Sequence, residues 1–528
     1  MGEVRRAETG ERRKPGVRDA FRSWRTASVA LQSFPSGLPL GLVLTAIPYW
    51  LATQGVDVKT IAFLGGYTQL PWSFKFVWAP LLDRFAPPFF GRKRGWAVIA
   101  QIGLLLAMLQ LARLAGDKPD LVWLAVTIFA IAFFSASQDI AIDAYAVEVL
   151  HKEEQGVAAG ARSALSRIAL FLSGRVVITA SQWMPWRALF AVQGLVYAPA
   201  MVLMAFSPEP DDPPRPTVSL REAVWAPFVD YLRQNNALQI TAFLVLYKFG
   251  DNLASSLVSV FLAQAGFTAL DIGVAQGTIG MIGTIVGALI GGVLTSALGL
   301  GHSLWLFGFL QAFSNLGYVF IAESGANRAV MYGAIAVETM TSGMGTGAFS
   351  VLLLRLTEKQ FSATQYALLS SVFALGRTVA QPIAGVLTDA LGWTTFFLLT
   401  IAAALPGLVM LQQFVPLGTQ EPVLKEAAPS RGGPIGRLDL VARALLGFAA
   451  ALLAGSAISV LLDTLRRIRN AGGWRSDTQF AELFGDALAA LLHPASVLDW
   501  VGLASIALFA AVCGLGAAAL PAARRGVK

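Results

Sequence analysis

Ser207-Pro-Glu-Pro-Asp-Asp-Pro-Pro-Arg-Pro216 is the stretch on which the fold turns. Its prolines break a helix and its charges do not belong in lipid, so it reads as a linker. Six apolar runs precede it, at 27–51, 60–82, 95–116, 120–143, 156–180 and 186–206. Six follow it, at 238–264, 270–296, 303–322, 329–352, 363–390 and 394–415. Each is long enough to cross a bilayer as a helix. Just after the linker, Ser219-Leu-Arg-Glu222 has capping-box spacing and predicts a helix to about residue 234. Its Trp225, Phe228, Val229 and Leu232 recur at helical spacing, which predicts a helix lying on the membrane surface.

The composition agrees with that layout. Of 528 residues, 55% are hydrophobic and 14% charged, far less charge than a soluble chain carries. The single cysteine, Cys513, lies in an apolar run, so no intrachain disulfide is possible and a small lining role is expected. The basic arm 1–26 carries Arg5, Arg6, Arg12, Arg13, Lys14, Arg18, Arg22 and Arg25, and the apolar run behind it is too long for a signal core. The positive-inside rule places this arm in the cytoplasm. Topology accounts for the net charge of +8, and no nucleic-acid partner is expected. The loop with Arg84, Arg92, Lys93 and Arg94, the linker with Arg215, Arg221 and Arg233, and the loop with Arg355 and Lys359 all fall on the same side as the arm.

A polar linker after residue 415 leads to two further apolar runs, 440–462 and 498–520. Between them stand Arg466, Arg467, Arg469 and Arg475, outside if both runs span and so against the positive-inside rule. Residues 476–493 read as an amphipathic helix with Phe480, Leu483, Phe484, Leu488, Leu491 and Leu492 as its apolar set. The expected architecture is an all-α polytopic membrane protein of fourteen spans. Its parts are the arm 1–26, a six-helix bundle 27–206, a cytoplasmic linker with surface helix 207–237, a second bundle 238–415, and the linker and two additional helices of 416–528.

Six runs, a long linker and six runs resemble the major facilitator superfamily, whose halves are parallel repeats about an axis along the membrane normal. Asp83-Arg84 followed by Gly91-Arg92-Lys93-Arg94 resembles that family's cytoplasmic gate motif, stretched here by Pro87-Pro88-Phe89-Phe90. Asp83, Arg84 and Arg92 are the expected gate residues, with Asp143 and Glu148 as acids for the basic groups; a plain positive-inside anchor is the simpler alternative. The halves echo each other in Gly174-Arg175 and Gly376-Arg377. Gly283, Gly287 and Gly291 form a small-residue stripe for helix packing.

The run Ser135-Ala-Ser-Gln138-Asp139-Ile-Ala-Ile-Asp143 puts two carboxylates on one helix face. In lipid that face is costly, so it looks into a bundle interior or a water-filled cavity. Asp143, nearer the boundary, is expected at the gate, and Asp139 in the cavity, where such a carboxylate can carry a proton or touch substrate. Lys75 and Arg167 are expected cavity cations, with Asp139 as counter-charge, while Arg162 is expected to snorkel. In the second half Lys248 and Asp251 share a face, Glu338 lies mid-span, and Arg377 lies mid-span beyond it. Asp251 and Glu338 are equally open to a structural or a proton-linked role. Gln69, Gln138, Gln365, Gln381, Asn252 and Asn315 add uncharged polarity, and Tyr49, Trp50, Tyr67, Trp72 and Phe249 add aromatic faces for sugars. Tyr49 and Trp50 are more simply interfacial aromatics. No nucleophile elbow, Walker loop, zinc motif or metal cluster is visible, so transport driven by an ion gradient is expected, without a cofactor.

Longer strings carry a more specific likeness. They are Ser36-Gly-Leu-Pro39, Lys75-Phe-x-Trp78-x-Pro-Leu-x-Asp83-Arg84, Pro87-Pro-Phe-Phe-Gly-Arg92, Ser135-Ala-Ser-Gln-Asp-Ile140, Leu246-Tyr-Lys-x-Gly-Asp251, Gly343-Met-Gly-Thr346 and Phe361-Ser-Ala-Thr-Gln-Tyr-Ala-Leu-Leu-Ser370. Over about residues 27–415 the chain resembles the AmpG muropeptide permeases. The acetyl-coenzyme A transporters share part of the fourth-span pattern. The resemblance implies a monomeric, proton-coupled importer in the inner membrane of a Gram-negative bacterium. Its cargo would be N-acetylglucosaminyl-1,6-anhydro-N-acetylmuramic acid with or without a short peptide, recycled into wall synthesis and able to signal β-lactamase induction. Carried over position by position, Lys75, Gln138, Asp139, Lys248, Asp251 and Gln365 become candidates for cavity or coupling roles. The cavity set is Gln69, Lys75, Gln138, Asp139, Arg167, Lys248, Gln365 and Arg377, and the coupling set is Asp139, Asp251 and Glu338. An acetyl-coenzyme A-like or drug-exporting carrier is the alternative within transport; a membrane-embedded enzyme or sensor is the alternative outside it.

Overall fold

The computed structural model describes residues 17–56, 60–61, 64–65, 68–116, 120–212, 219–234, 236–422, 436–471, 477–494 and 497–524. Most of the basic arm, Tyr67, Arg215 and Arg475 lie outside these residues, as do the side chains of Arg221, Gln381 and Arg469. The described chain is helical and pairs its halves visibly. The fourth span (Leu121–Val149) and the tenth (Arg328–Leu356) are both 29 residues long. Each begins on a short acidic or amide side chain: Asp120 accepts from the backbone N–H of Val122 and Trp123, and Asn327 from those of Ala329 and Val330. Such caps satisfy N–H groups that have no partner within the helix.

Among the described residues, ten helices are long and apolar enough to cross a membrane. Fourteen runs were expected, and the four that fall short are the second, seventh, tenth and eleventh. The second is broken into Leu70–Phe74, a 3-10 turn Lys75–Val77, and Ala79–Arg84. The seventh is broken into Ala237–Leu246, Phe249–Ser256 and Val258–Gln264. The tenth is continuous but carries Glu338, and the eleventh carries Arg377. The eleventh and twelfth runs join as one stretch, Ser362–Phe414, that breaks its helical path at Gly392, where φ is +73°. Only glycine adopts that conformation without strain. Polarity and broken helices are tolerated at membrane depth where they are buried in protein or line a cavity.

Each half has its own core. Trp50, Leu104, Phe190 and Tyr197 centre the first. Phe261, Tyr318, Phe396 and Phe397 centre the second. A third cluster, including Tyr145, Val149, Phe243, Phe349 and Leu352, joins the halves at the end that carries the basic loops. There the fifth span (Gln155–Ala180) crosses the eighth (Ala269–Leu298), and a side chain at Gly292 would strike the backbone of Gly156 and Gly160. The glycine stripe of the eighth span packs as expected: Gly287 lies directly on the Met340 carbonyl of the tenth.

Ser219 caps the linker helix Leu220–Leu232 by accepting the Glu222 N–H at 3.1 Å. Part of its apolar face is covered by protein. Val229 and Leu232 are buried against Ala519, Ala522 and Ala523 at the end of the last helix, Val497–Arg524, and Trp225 and Phe228 pack beside them. That helix pairs with Arg437–Asn470, and Gly447 and Gly514 allow their close approach.

Candidate functional site: a two-compartment cavity behind a closed gate

The basic-loop end is shut by side chains from both halves. Asp83, fully buried, accepts from Lys93 Nζ at 2.5 Å, from the Thr364 backbone N–H at 2.9 Å and from the Thr364 hydroxyl at 2.7 Å. Glu148 accepts from Arg92 at 2.8 Å and from the Ser362 hydroxyl at 2.6 Å. Two acids of the first half thus hold the N-terminus of the eleventh helix, where exposed N–H groups and the helix dipole favour negative charge. Arg355 closes the seam on the other flank, donating to the Gln155 side chain and to the Lys152 carbonyl, and pairing with Glu421 at 3.1 Å.

The expected gate set is redistributed. Asp83, Arg92 and Glu148 lie together at the seam. Arg84 instead lies over the Phe85 ring, 5.4 Å from its centroid. Asp143 is not at the gate, because the fourth helix runs on to Val149 and leaves it well inside. It is bound by Arg162 and lies 3.7 Å from Lys75, both in its own half. Arg162 therefore points inward, also donating to Ser33 at 3.2 Å, rather than snorkelling. Lys93, part of the expected gate motif, pairs with Asp83, whereas Ser362 and Thr364 are gate partners that spacing alone does not single out. A Ser-x-Thr at a helix start was the signal available.

Behind the gate a cavity lies between the halves in two compartments. The gate-side compartment, about 350 Å³, is lined by Ser36, Trp72, Asp139, Arg167, Tyr366 and Arg377 among others. Asp139 accepts a hydrogen bond from the Ser36 hydroxyl. The far compartment, about 340 Å³, is lined by Arg167, Arg175, Gln276, Tyr318 and Glu338. Arg167 lines both. Among the described residues, neither Arg167, Arg175 nor Arg377 pairs with a carboxylate, and all three are exposed to the cavity. An unpaired guanidinium set in a membrane interior is costly and marks a polar path or a binding site for anions.

Lys248 sits beside this cavity rather than in it. It donates to the Ser342 carbonyl at 3.1 Å and the Thr346 hydroxyl at 2.8 Å, with Asp251 at 3.8 Å. Asp251 in turn accepts from Ser342 at 3.2 Å. Glu338 lies within hydrogen-bonding reach of Asp251 and of the Tyr318 hydroxyl. Gln365 is nowhere near the cavity. Its amide donates to the Pro227 carbonyl at 3.1 Å and its oxygen accepts the Glu358 N–H at 2.7 Å, pinning the linker helix to the gate. Gln138 is fully buried with neither amide atom hydrogen-bonded, and Gln69 has a buried, unpartnered amide nitrogen; neither lines a compartment. Of the aromatics expected there, Trp72 reaches the cavity, whereas Trp50 is core, edge-on to Phe190 at 5.4 Å. Among the described residues, no cluster of His, Cys, Asp and Glu has metal-binding geometry.

Comparison with known proteins agrees with this architecture. The Major Facilitator Superfamily model matches residues 29–360. The anhydromuropeptide permease of Escherichia coli K12 is 41% identical over 393 residues, covering 74% of this chain and 80% of the relative. The AmpG 4 transporter of Rickettsia felis is 26% identical over 402 residues, 74% of this chain and 96% of the relative. Among solved structures, the human organic anion transporter MFSD10 superposes with a TM-score of 0.55 at 13% identity, over 74% of this chain and 99% of its own. A bacterial homologue of ferroportin, in an outward-facing state, superposes with a TM-score of 0.51 at 17% identity, over 74% of this chain and 98% of its own. These last two establish the fold alone. The chain is a multi-pass membrane transporter of the Major Facilitator Superfamily and belongs to its anhydromuropeptide permease family.

Proposed function

We propose that this chain imports anhydro-muropeptides across the inner membrane of a bacterium, by alternating access and coupled to protons. The observation that carries the cargo is the cavity itself. Arg167 and Arg377 face it without acid partners, while Trp72, Ser36 and Asp139 line the same compartment. A muropeptide brings carboxylates for the guanidinium groups, hydroxyls for Asp139 and the serines, and sugar faces for the indole. The permease named for that cargo in Escherichia coli is the 41%-identical relative.

The proton would be carried by acids that touch the cavity. Glu338 lines the far compartment, and Asp251, bound by Ser342, lies behind it. Asp139 stands alone beside Ser36. No resident cofactor enters this scheme; the proton gradient supplies the work. The basic-loop end, with the N-terminus, would face the cytoplasm by the positive-inside rule. The gate contacts then describe the state open away from the cytoplasm, and rocking of the halves would break them. A single chain holds the whole cavity, so a monomer suffices.

Uptake of radiolabelled anhydro-muropeptide into vesicles carrying the purified protein tests the reading. Accumulation driven by an imposed pH gradient is expected. No uptake, with transport of unrelated amphiphiles instead, overturns it.

A further inference from the structure

Gly174-Arg175 in the fifth span and Gly376-Arg377 in the eleventh are repeated in space as well as in sequence. The fifth and eleventh spans are corresponding members of the two halves, as are the first and seventh. Gly174 rests on the first span, where an added Cβ would stand 3.2 Å from the Gly41 carbonyl. Gly376 rests on the seventh, where an added Cβ would stand 2.9 Å from the Val245 carbonyl. In both halves the glycine lets two helices close up, and the arginine after it is turned into the cavity.

The two arginines do not share a compartment. Arg377, from the second half, lines the compartment holding Asp139 of the first. Arg175, from the first half, lines the compartment holding Glu338 of the second. Each guanidinium therefore shares a compartment with the other half's acid. Arg175 gets there because Gly277, in a π-helical turn Gly273–Ile279 of the eighth span, leaves room; a Cβ at 277 would overlap the guanidinium. Arg167 and Arg175 are eight residues apart, about 12 Å along the helix. The cavity thus offers cations at two levels along its length.

The compartments differ in chemistry. The gate-side one has the Trp72 indole, the serine hydroxyls and the Asp139 carboxylate, which suit a saccharide. The far one has no tryptophan, and its polar groups include Arg167, Arg175, Gln276, Tyr318, Glu338 and Thr339, with Ser259 already donating to Gln276 at 2.8 Å. The guanidinium groups and the amide suit the free carboxylates of a peptide, and the Glu338 carboxyl suits its amino and amide N–H groups. We infer that Arg175, seated over Gly277, is the residue that selects peptide-bearing substrates, binding a carboxylate of the peptide stem in the far compartment while the sugars occupy the compartment beside Trp72. This rests on the muropeptide reading above.

The test compares uptake efficiency, kcat/KM, for the anhydro-disaccharide with a tetrapeptide stem and without any peptide, in proteoliposomes. Arg175→Gln is expected to lower the ratio of the two efficiencies tenfold or more. Arg167→Gln, which lines both compartments, lowers both efficiencies and leaves the ratio in place. Gly277→Ala changes no charge and displaces only the end of a flexible side chain; it should lower the ratio in the same direction, and Arg175→Lys, which keeps charge without the planar fork, should do so partially. These two variants carry the same readout if Arg175→Gln fails to reach the membrane. A ratio within twofold of the unmodified protein in the Arg175 variants and Gly277→Ala, however far total uptake falls, overturns the inference. Uptake of neither compound by the unmodified protein overturns the muropeptide reading instead.

Discussion

The Asp83 carboxylate, at the end of the second span, holds the backbone N–H of Thr364 at 2.9 Å and its hydroxyl at 2.7 Å. This joins residues that lie 281 positions apart and belong to opposite halves. Both carboxylate oxygens are engaged, because Lys93 and the Ala363 N–H take the other one. A buried anion at a helix N-terminus, already paired with a buried lysine, is well stabilised only while the eleventh helix stays docked.

Asp83→Asn is therefore expected to loosen the closed gate. It keeps the size of the side chain but leaves buried Lys93 with Glu148, 3.9 Å away, in place of the closer Asp83. Removing one partner of a buried pair costs about 3 kcal/mol, a factor on the order of 100 in the balance between closed and open ends. Spin labels at Glu153 and Glu421, on opposite sides of the seam, should report a new population at longer distance. An unchanged distance distribution would remove Asp83 from the lock.

Asp143 carries a different prediction from its neighbour four residues away. It is bound by Arg162 and faces Lys75, so Asp143→Asn strands two cations inside one half. The expected loss is about 3 kcal/mol of stability, seen as a lower thermal midpoint in detergent, with less protein recovered. Asp139→Asn removes one hydrogen bond from Ser36 and no ion pair within 4.0 Å, and should leave the midpoint nearly in place. Equal losses for the two variants would contradict this division.

How far the sequence foretold this follows from what period and spacing can encode. The linker at 207–216 and the apolar periods gave the six-and-six layout, since each span must hide its backbone from lipid whatever its neighbours do. They gave Asp139 and Arg167 as cavity groups for the same reason. They misplaced Asp143 because the polar end of a buried helix looks like its boundary, and the helix in fact continues to Val149. Gln365 was misplaced because a motif likeness carries no direction: its side chain turns to the linker helix instead of inward. The apolar face of that helix was read as lipid-facing because its cover, Ala519 to Ala523, lies some 290 residues later in the chain, beyond the reach of any local pattern.

Coupling separates the three candidate acids. If Asp139 carries the proton, Asp139→Asn abolishes gradient-driven accumulation while substrate exchange survives. If Glu338, in the far compartment, carries it, Glu338→Gln does so instead. We expect Glu338→Gln to show the larger loss of accumulation, tenfold or more. Flux measured with and without an imposed pH gradient, alongside exchange of preloaded label, distinguishes the cases. Full accumulation in Glu338→Gln would remove that residue from the coupling role.

The two additional helices make the last prediction. They lie outside the cavity; Arg437–Asn470 packs on the Ser362–Phe414 stretch, and Val497–Arg524 packs on the linker helix, where Val229 and Leu232 are buried by Ala519, Ala522 and Ala523. Gln365 fastens the same linker helix to the gate through the Pro227 carbonyl and Asp230. Burying two such aliphatic side chains contributes roughly 3 kcal/mol or more in water, so the hairpin stabilises the linker helix in its docked position. Deleting residues from 437 onward should leave all cavity residues in place while uncovering that face. Hydrogen exchange across Leu220–Leu232 should then accelerate on the order of 100-fold, with uptake retained at a changed rate. The substitution Ala522→Glu, which puts a charge against Leu232 without shortening the chain, should reproduce the faster exchange. Unaltered exchange in both variants would mean that the linker helix is held by its gate contacts alone, through Gln365 and the Gln234 amide on the Leu356 carbonyl at 3.4 Å.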